Sequence, residues 1–187
     1  MRIISGCFKG KKLLIPKDNN TRPLKDSVKE SLFNIIEHSK LIKFKLNNSQ
    51  ILDLFSGVGT FGLECISRGS KNVTFFENYP PALELLKKNI QNLDCLDRTE
   101  IMNKDVYTLG KLNLNLQNYD CVFLDPPFKE LKIQILLRII KDKNILKKDS
   151  IILIHRDKNI LDVFPEDFRN LITKFYGRSK IIFGKFD

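Results

Sequence analysis

Histidine is nearly absent from this sequence: His38 and His155 are the only two. A multi-histidine metal site therefore lacks its ligands, and no bound metal is expected. Cysteine is scarce too, with Cys7, Cys65, Cys95 and Cys121 widely spaced and no Cys-x-x-Cys pair among them. Cys121 falls within an apolar strand pattern and Cys65 within a helical one, so buried free thiols in a reducing compartment are expected. No apolar run approaches membrane-spanning length, and the N-terminal MRIISGCFKGKK lacks the hydrophobic stretch of a secretory signal. Internal repeats and low-complexity segments are missing as well. A cytoplasmic protein with no membrane partner is expected.

What the chain does have is enough apolar residue for one packed domain: 42% of its 187 positions. Lysine and arginine number 32 against 22 acids, a net charge of +10. Residues 1–50 hold 11 of the basic residues and only 4 of the acids, so most of the excess sits in the first quarter. Such a concentration suits a polyanionic partner, although a solvated lysine-rich surface would look the same.

The segment 2–15 has the form of a β-hairpin, RIISGCF and KLLIP about a turn at Lys9-Gly10-Lys11. A helix follows from Pro23 to Ser39, with Val28, Leu32, Ile35 and Ile36 on one face. Residues 40–49 are rich in Lys and Asn and mark a boundary, giving a basic extension over 1–45 and a main domain over 46–187. From Gln50 onward strand and helix alternate. Strands are expected at Gln50–Phe55, Asn72–Glu77, Glu100–Asn103, Tyr119–Leu124 and Ser150–His155. Helices are expected at Thr60–Arg68, Pro80–Leu93 and Leu131–Ile145. The tail KFYGRSKIIFGKF reads as an antiparallel hairpin turning near Gly177. This is the pattern of an α/β fold: a Rossmann-like, doubly wound, mostly parallel sheet with antiparallel strands added at one edge.

The first strand of that sheet runs into DLFSGVGTFG, with glycines at 57, 59 and 62 between a strand and a helix. Gly57 and Gly59 there let a backbone approach a nucleotide-type ligand, although a tight structural turn would need the same residues. Asp53 precedes the glycines at the strand end. A carboxylate in that place repels a dinucleotide pyrophosphate but attracts an ammonium group. Glu77 closes the second strand, 24 positions on, where an acid can accept both hydroxyls of a ribose. An ordinary exposed acid would fit that position too. Asp105, in NKDVY, ends the third strand. Its carboxylate can accept an adenine amino group while the Val106 amide meets the ring, or it can simply cap a helix.

The fourth strand ends in Phe123-Leu124-Asp125-Pro126-Pro127-Phe128, where two prolines forbid further strand pairing. In a doubly wound sheet this strand lies beside the first, so FLDPPF opens onto the crevice of the glycine loop. An exocyclic base amine is a poor nucleophile because its lone pair is delocalised into the ring. The Asp125 carboxylate and a rigid Pro126 carbonyl can bind its hydrogens and hold the nitrogen pyramidal, lone pair forward. Phe128 offers a face for an extruded base, a contact worth roughly 1–3 kcal/mol. Otherwise D-P-P-F is a stiff strand-ending turn with Phe128 folded into the core.

Taken in order and spacing, DLFSGVGTFGLE, FFEN, NKDV and FLDPPF resemble class I S-adenosylmethionine-dependent methyltransferases acting on exocyclic amines. MRIISGCFKGKKL followed by RPLKDSVKESLFNII, and the closing FYGRSKIIF, are similar to the RsmD family. That family methylates guanine N2 in bacterial 16S ribosomal RNA, and the resemblance covers essentially the whole chain. It implies S-adenosyl-L-methionine as cofactor, with Asp53, Gly57 and Gly59 on its methionine portion, Glu77 on the ribose, and Asp105 with Val106 on the adenine. It implies Asp125, Pro126 and Phe128 as the catalytic set. Lys9, Lys11, Lys12 and Arg22 become the RNA-binding residues, and 16S rRNA or a small-subunit particle the partner of a monomeric enzyme. Arg22, Asp26, Glu30 and Asn34 match the family's arginine-proline helix against the cofactor cleft. Leu24 stands where relatives have threonine, and His155-Arg156 where they often carry an acid. These departures are expected to leave the residues proposed for chemistry untouched.

Competing readings each leave something over. A DNA or other RNA amino-methyltransferase, acting on adenine N6 or cytosine N4, shares the D-P-P-aromatic logic. The DNA enzymes, however, generally need a target-recognition domain for which this chain has no room. A nicotinamide-dependent oxidoreductase accounts for the glycine loop and Glu77 but not for FLDPPF. A non-catalytic RNA-binding module has no use for the clustered acids.

Overall fold

A computed structural model describes residues 1–16, 24–111 and 118–187. Arg22 lies outside the described residues. Among the described residues the architecture is a seven-stranded sheet in the order β3-β2-β1-β4-β5-β7-β6. Its parallel part consists of β1 (Gln50–Leu54), β2 (Asn72–Phe76), β3 (Thr99–Met102), β4 (Tyr119–Leu124) and β5 (Leu146–Asp157). The tail supplies β6 (Phe168–Tyr176) and β7 (Ser179–Phe186), antiparallel to each other and to β5, with the turn at Gly177. Helices α1 (Asp26–His38), α2 (Thr60–Ser67), α3 (Pro80–Asn92) and α4 (Ile133–Asp142) fill the positions the alternation demands. Strand β5 starts four residues earlier than Ser150, because Tyr119 pairs with Leu146 before a register shift.

Because side chains alternate along a strand, the sheet has two apolar faces. Ile51, Phe75, Cys121, Phe123, Leu153 and Phe183 share one cluster with residues of α1, α2 and α3. Leu52, Leu54, Phe76, Val122, Leu124 and Ile154 share the other with α4 and with a 3₁₀ helix at Val106–Lys111. On the first face Phe61 of α2 stacks between Phe33 of α1, at 5.4 Å, and Phe123 of β4, at 4.1 Å. Leu24 is buried in the same cluster and is part of the apolar core.

The N-terminal segment pairs across itself more sparingly than a three-residue turn would allow. Arg2 bridges Lys12, the Ile3 amide donates to the Lys11 carbonyl, and the Leu13 amide to that of Met1. Between them the chain bulges wide, because its amides are committed to α2. Ile4 and Ser5 donate to the two oxygens of Glu64 at 2.7 and 2.9 Å, and Cys7 to the Ser67 carbonyl. Glu64 and Lys29 are both wholly buried, 3.4 Å apart, and Lys29 Nζ also donates to the Arg2 carbonyl. Burial depresses the pKa of Lys29, with the Glu64 and Asp26 carboxylates opposing that shift. Arg68 completes the set, its Nε 2.9 Å from Glu64. Asp26, on the helix matched above to the cofactor cleft, is ion-paired with Arg2 and Lys29.

The cysteine expectation needs one correction. Cys65, Cys95 and Cys121 are buried free thiols, but Cys7 is exposed on the bulge just described. Burial pushes the Cys95 thiol up to about 11.

Removing one partner of a buried ion pair strands the other, at a cost of roughly 3–5 kcal/mol. Glu64→Ala is therefore expected to lower the urea unfolding free energy by about that amount and to abolish hydrogen-exchange protection at Ile4 and Ser5. An unchanged unfolding midpoint with both amides still protected would mean that Glu64 does not hold the segment.

Candidate active site

The site is built at the carboxyl ends of β1, β2 and β4. Asp53 on β1 pairs in register with Phe75 on β2 and Phe123 on β4. One register step later the Asp125 amide donates to the Leu54 carbonyl at 3.3 Å. The two carboxylates thus end adjacent parallel strands on the face covered by α2. Glu77 follows β2, its amide donating to the Met102 carbonyl.

Strand β1 ends one residue before its apolar run does. Phe55 takes a φ of 60°, a left-handed conformation costly for a bulky side chain and found mainly where surrounding bonds impose it. The bonds here are those of Ser56. Its amide donates to the Phe76 carbonyl and its Oγ to the Asp53 carbonyl at 2.6 Å. Gly59, with φ of 83°, starts α2 where a Cβ would lie 2.5 Å from Leu86 Cδ1. At Gly62 a Cβ would meet the Phe75 ring at 2.3 Å, so the glycine also sets how closely α2 packs on β2.

Asp53 is 1% exposed. Its Oδ2 accepts the Gly62 amide at 3.0 Å, while Oδ1 is buried with no hydrogen-bond partner among the described residues. Burial lifts its carboxyl well above the usual range; the Gly62 N–H opposes this, and the charges of Asp125 and Glu77 add to it. An acceptor oxygen left unpaired beside two further acids is a place for a cation. Glu77 Oε2 accepts the Gly57 amide at 2.6 Å, and Oε1 accepts those of Asn78 and Tyr79. Glu77 is therefore an anchor of the glycine loop as well as an acid at a strand end.

Asp105 is exposed, and its Oδ1 accepts the Tyr107 amide at 2.9 Å. The capping alternative thus describes what this oxygen does in the structure. Val106, the first residue of the 3₁₀ helix, is buried against the second face.

In the D-P-P-F segment Pro126 is buried and Pro127 exposed, and the Pro127 carbonyl accepts the Glu130 amide at 2.8 Å, closing a turn. Phe128 is half-buried and meets His155 edge-on at 5.8 Å. His155 Nδ1 lies 2.8 Å from Asp125 Oδ1. The expectation that His155-Arg156 leaves the chemical residues untouched is thereby corrected. Arg156, wholly buried, donates through Nη2 to the Glu130 carbonyl and through Nε to Asp162, so it pins the turn that follows Phe128.

Asn89 of α3 also escaped the sequence reading. It accepts the Leu14 amide and donates to the carbonyls of Leu14 and Val58. The basic N-terminal segment is thereby fastened to the glycine loop. Lys9, Lys11 and Lys12 are exposed on that segment and form no ion pair among the described residues. Glu30 and Asn34 are exposed on α1.

Because the folded protein holds Asp53 at a raised pKa, ionising it above the ordinary aspartate value of about 3.9 costs stability. That cost is zero at lower pH and grows as pH rises through the folded value. Asp53→Asn is expected to raise the melting temperature of the ligand-free protein at pH 7, with the gap closing toward pH 4. A variant that melts lower than wild type across this whole range would contradict the assignment.

The chain matches the family model "Conserved hypothetical protein 95" over residues 1–185. It is 34% identical over 178 residues to ribosomal RNA small subunit methyltransferase D of Haemophilus influenzae, spanning 95% of this chain and 89% of that protein. It is 28% identical over 169 residues to the Escherichia coli protein of the same name, spanning 90% and 81%. The solved structure of the Escherichia coli protein YhhF superposes with a TM-score of 0.83 at 26% identity, covering 100% of this chain and 98% of that one. Fold and whole-length similarity agree: the chain belongs to the Conserved hypothetical protein 95 family of RsmD-type methyltransferases.

Proposed function

We propose that this protein transfers a methyl group from S-adenosylmethionine to the exocyclic N2 amine of a guanine in small-subunit ribosomal RNA. The observation that carries the chemistry is the placement of Asp53 and Asp125 at the carboxyl ends of adjacent parallel strands. The substrate class rests on the named relatives, and guanine N2 on the resemblance of the N-terminal segment.

The residues present fit the cofactor. The unpaired Oδ1 of Asp53 suits its ammonium. Gly57, with open space where a Cβ would lie, admits its methionine portion, Gly59 keeps the loop backbone beside it packed close on Leu86, Glu77 suits the ribose hydroxyls, and Asp105 with Val106 suits the adenine. When bound, S-adenosylmethionine supplies an electrophilic methyl group on a sulfonium sulfur. The protein's part is positioning and charge placement. Asp125 and the Pro126 carbonyl accept the two amine hydrogens, so the nitrogen lone pair faces the electrophile. The methyl's bond to sulfur would break as the N–C bond forms, leaving a neutral thioether; Asp125 would stabilise the positive charge developing on nitrogen, and its carboxylate would take the proton released. Phe128 stacks on the base.

Lys9, Lys11 and Lys12, with Arg22, supply contacts to RNA phosphates. Their segment is bonded at Leu14 through Asn89 to the glycine loop and at Cys7 and Phe8 to Ser67 at the far end of α2, so the lysines lie along the α2 side of the fold. A rigid, pre-positioned patch of this kind suits a substrate whose shape is already given.

Two assays test this reading. Purified protein is expected to bind S-adenosylmethionine and not NAD, and to pass radiolabelled methyl to small-subunit RNA or particles. Asp125→Ala is expected to lower transfer by at least about 100-fold with cofactor affinity near wild type. Label passing to duplex DNA and not to ribosomal substrates would overturn the RNA assignment. Equal loss of binding and transfer in Asp125→Ala would make Asp125 structural.

Charge reversal at Lys9, Lys11 and Lys12 is expected to weaken RNA binding and to flatten the dependence of log K on log salt. Unchanged affinity and slope would remove the N-terminal segment from the interface.

A further inference from the structure

We infer that His155 is a positioning residue for the transfer step, holding both the amine acceptor Asp125 and the stacking ring Phe128 in their working arrangement. The inference rests on the function proposed above and adds to it a residue that neither the motifs nor the family pattern supplies.

Register brings the residues together. Leu124 of β4 pairs with Ile154 of β5, so the next residues, Asp125 and His155, emerge side by side where β4 ends. Strand β4 stops there because of the prolines, but β5 continues, with His155, Arg156 and Asp157 paired to Ile181, Lys180 and Ser179 of β7. His155 therefore stands on a backbone held by the antiparallel strand, while Asp125 sits on a loop. Its side chain is 8% exposed and that of Asp125 21%. The residue just past its strand leans on the one held within the sheet.

The hydrogen bond defines the chemistry. A carboxylate only accepts, so Nδ1 of His155 carries the proton and donates to Asp125 Oδ1 across 2.8 Å. One oxygen of Asp125 is thereby occupied and its rotamer set, leaving Oδ2 as the oxygen for the incoming amine. The same imidazole presents its ring to Phe128 at 5.8 Å and 71°, an edge contact that limits where the phenyl face can lie. Arg156, the next residue on β5, holds the other end of the turn through the Glu130 carbonyl. Consecutive residues of one strand thus brace the D-P-P-F turn from both sides. Without the His155 bond, Asp125 would sample rotamers that point Oδ2 away from the amine, which lowers turnover without removing a group that touches cofactor or base.

The test compares three variants with wild type. Asn places an amide N–H near the position of Nδ1, Gln carries its donor farther out, and Leu has none. His155→Leu is expected to lower kcat roughly 10- to 100-fold, the range of one hydrogen bond to a charged group. KM for the cofactor should stay within about twofold, since the bond does not face Asp53. His155→Asn should recover most of the lost rate and His155→Gln little of it. A second readout needs neither substrate nor turnover: with ¹⁵N-labelled histidine, the wild-type ring should show a protonated Nδ1, and Asp125→Asn should shift that resonance.

Full kcat in His155→Leu, or equal rates in the Asn and Gln variants, would overturn the inference. So would a wild-type ring with its proton on Nε2 alone, a result that stands even if His155→Leu fails to fold. Failure of the wild-type protein to methylate RNA is a separate outcome that strikes the proposed function, whereas the nitrogen spectrum reads the Asp125–His155 bond itself.

Discussion

The register between β1 and β4 is the constraint on which the site depends. Leu52 faces Val122, Asp53 faces Phe123 and Leu54 faces Leu124, so both strands run out at the same height. A slip of one residue would turn the apolar side chains of β4 to the wrong face and carry Asp125 away from Asp53. The alternating clusters on the two sheet faces make such a slip expensive, since Cys121 and Phe123 pack on one face while Val122 and Leu124 pack on the other. Core packing therefore holds the acids together, and burial above all, with the charges of Asp125 and Glu77 adding to it, makes the Asp53 carboxyl resist ionisation.

A second constraint joins the basic N-terminal segment to α2 and the glycine loop. Glu64 takes the amides of Ile4 and Ser5 and pairs with Lys29 and Arg68, while Asn89 ties Leu14 to Val58. The segment shares the apolar cluster of α1, α2 and β4 through Ile3 and Leu13. Its exposed lysines are thus carried on a backbone fixed at several points.

Features governed by local physics were legible in the sequence. A run of apolar strand-formers located β4 to the residue, the strand-to-helix glycines located the loop, and the prolines located the end of β4. Gly177 marked the closing hairpin. What was not legible depended on pairing between distant residues. Asp125 and His155 are 30 positions apart and meet only through the β4–β5 register. Glu64 and Lys29 look like surface charges of two amphipathic helices until the helices pack and bury them against the N-terminal amides. The hairpin's width was unreadable for the same reason, because the partner of its amides lies 60 residues away. At Asp105 the residues permitted both capping and ligand contact, and only the path of the following backbone shows the cap.

The most direct test of the shared crevice is a crystal structure with S-adenosylhomocysteine bound. The account predicts the ligand's ammonium on Asp53, its ribose hydroxyls on Glu77, and its sulfur end open toward Asp125. A ligand bound elsewhere, or bound with its ribose at Asp53 and its amino acid end at Glu77, would contradict it.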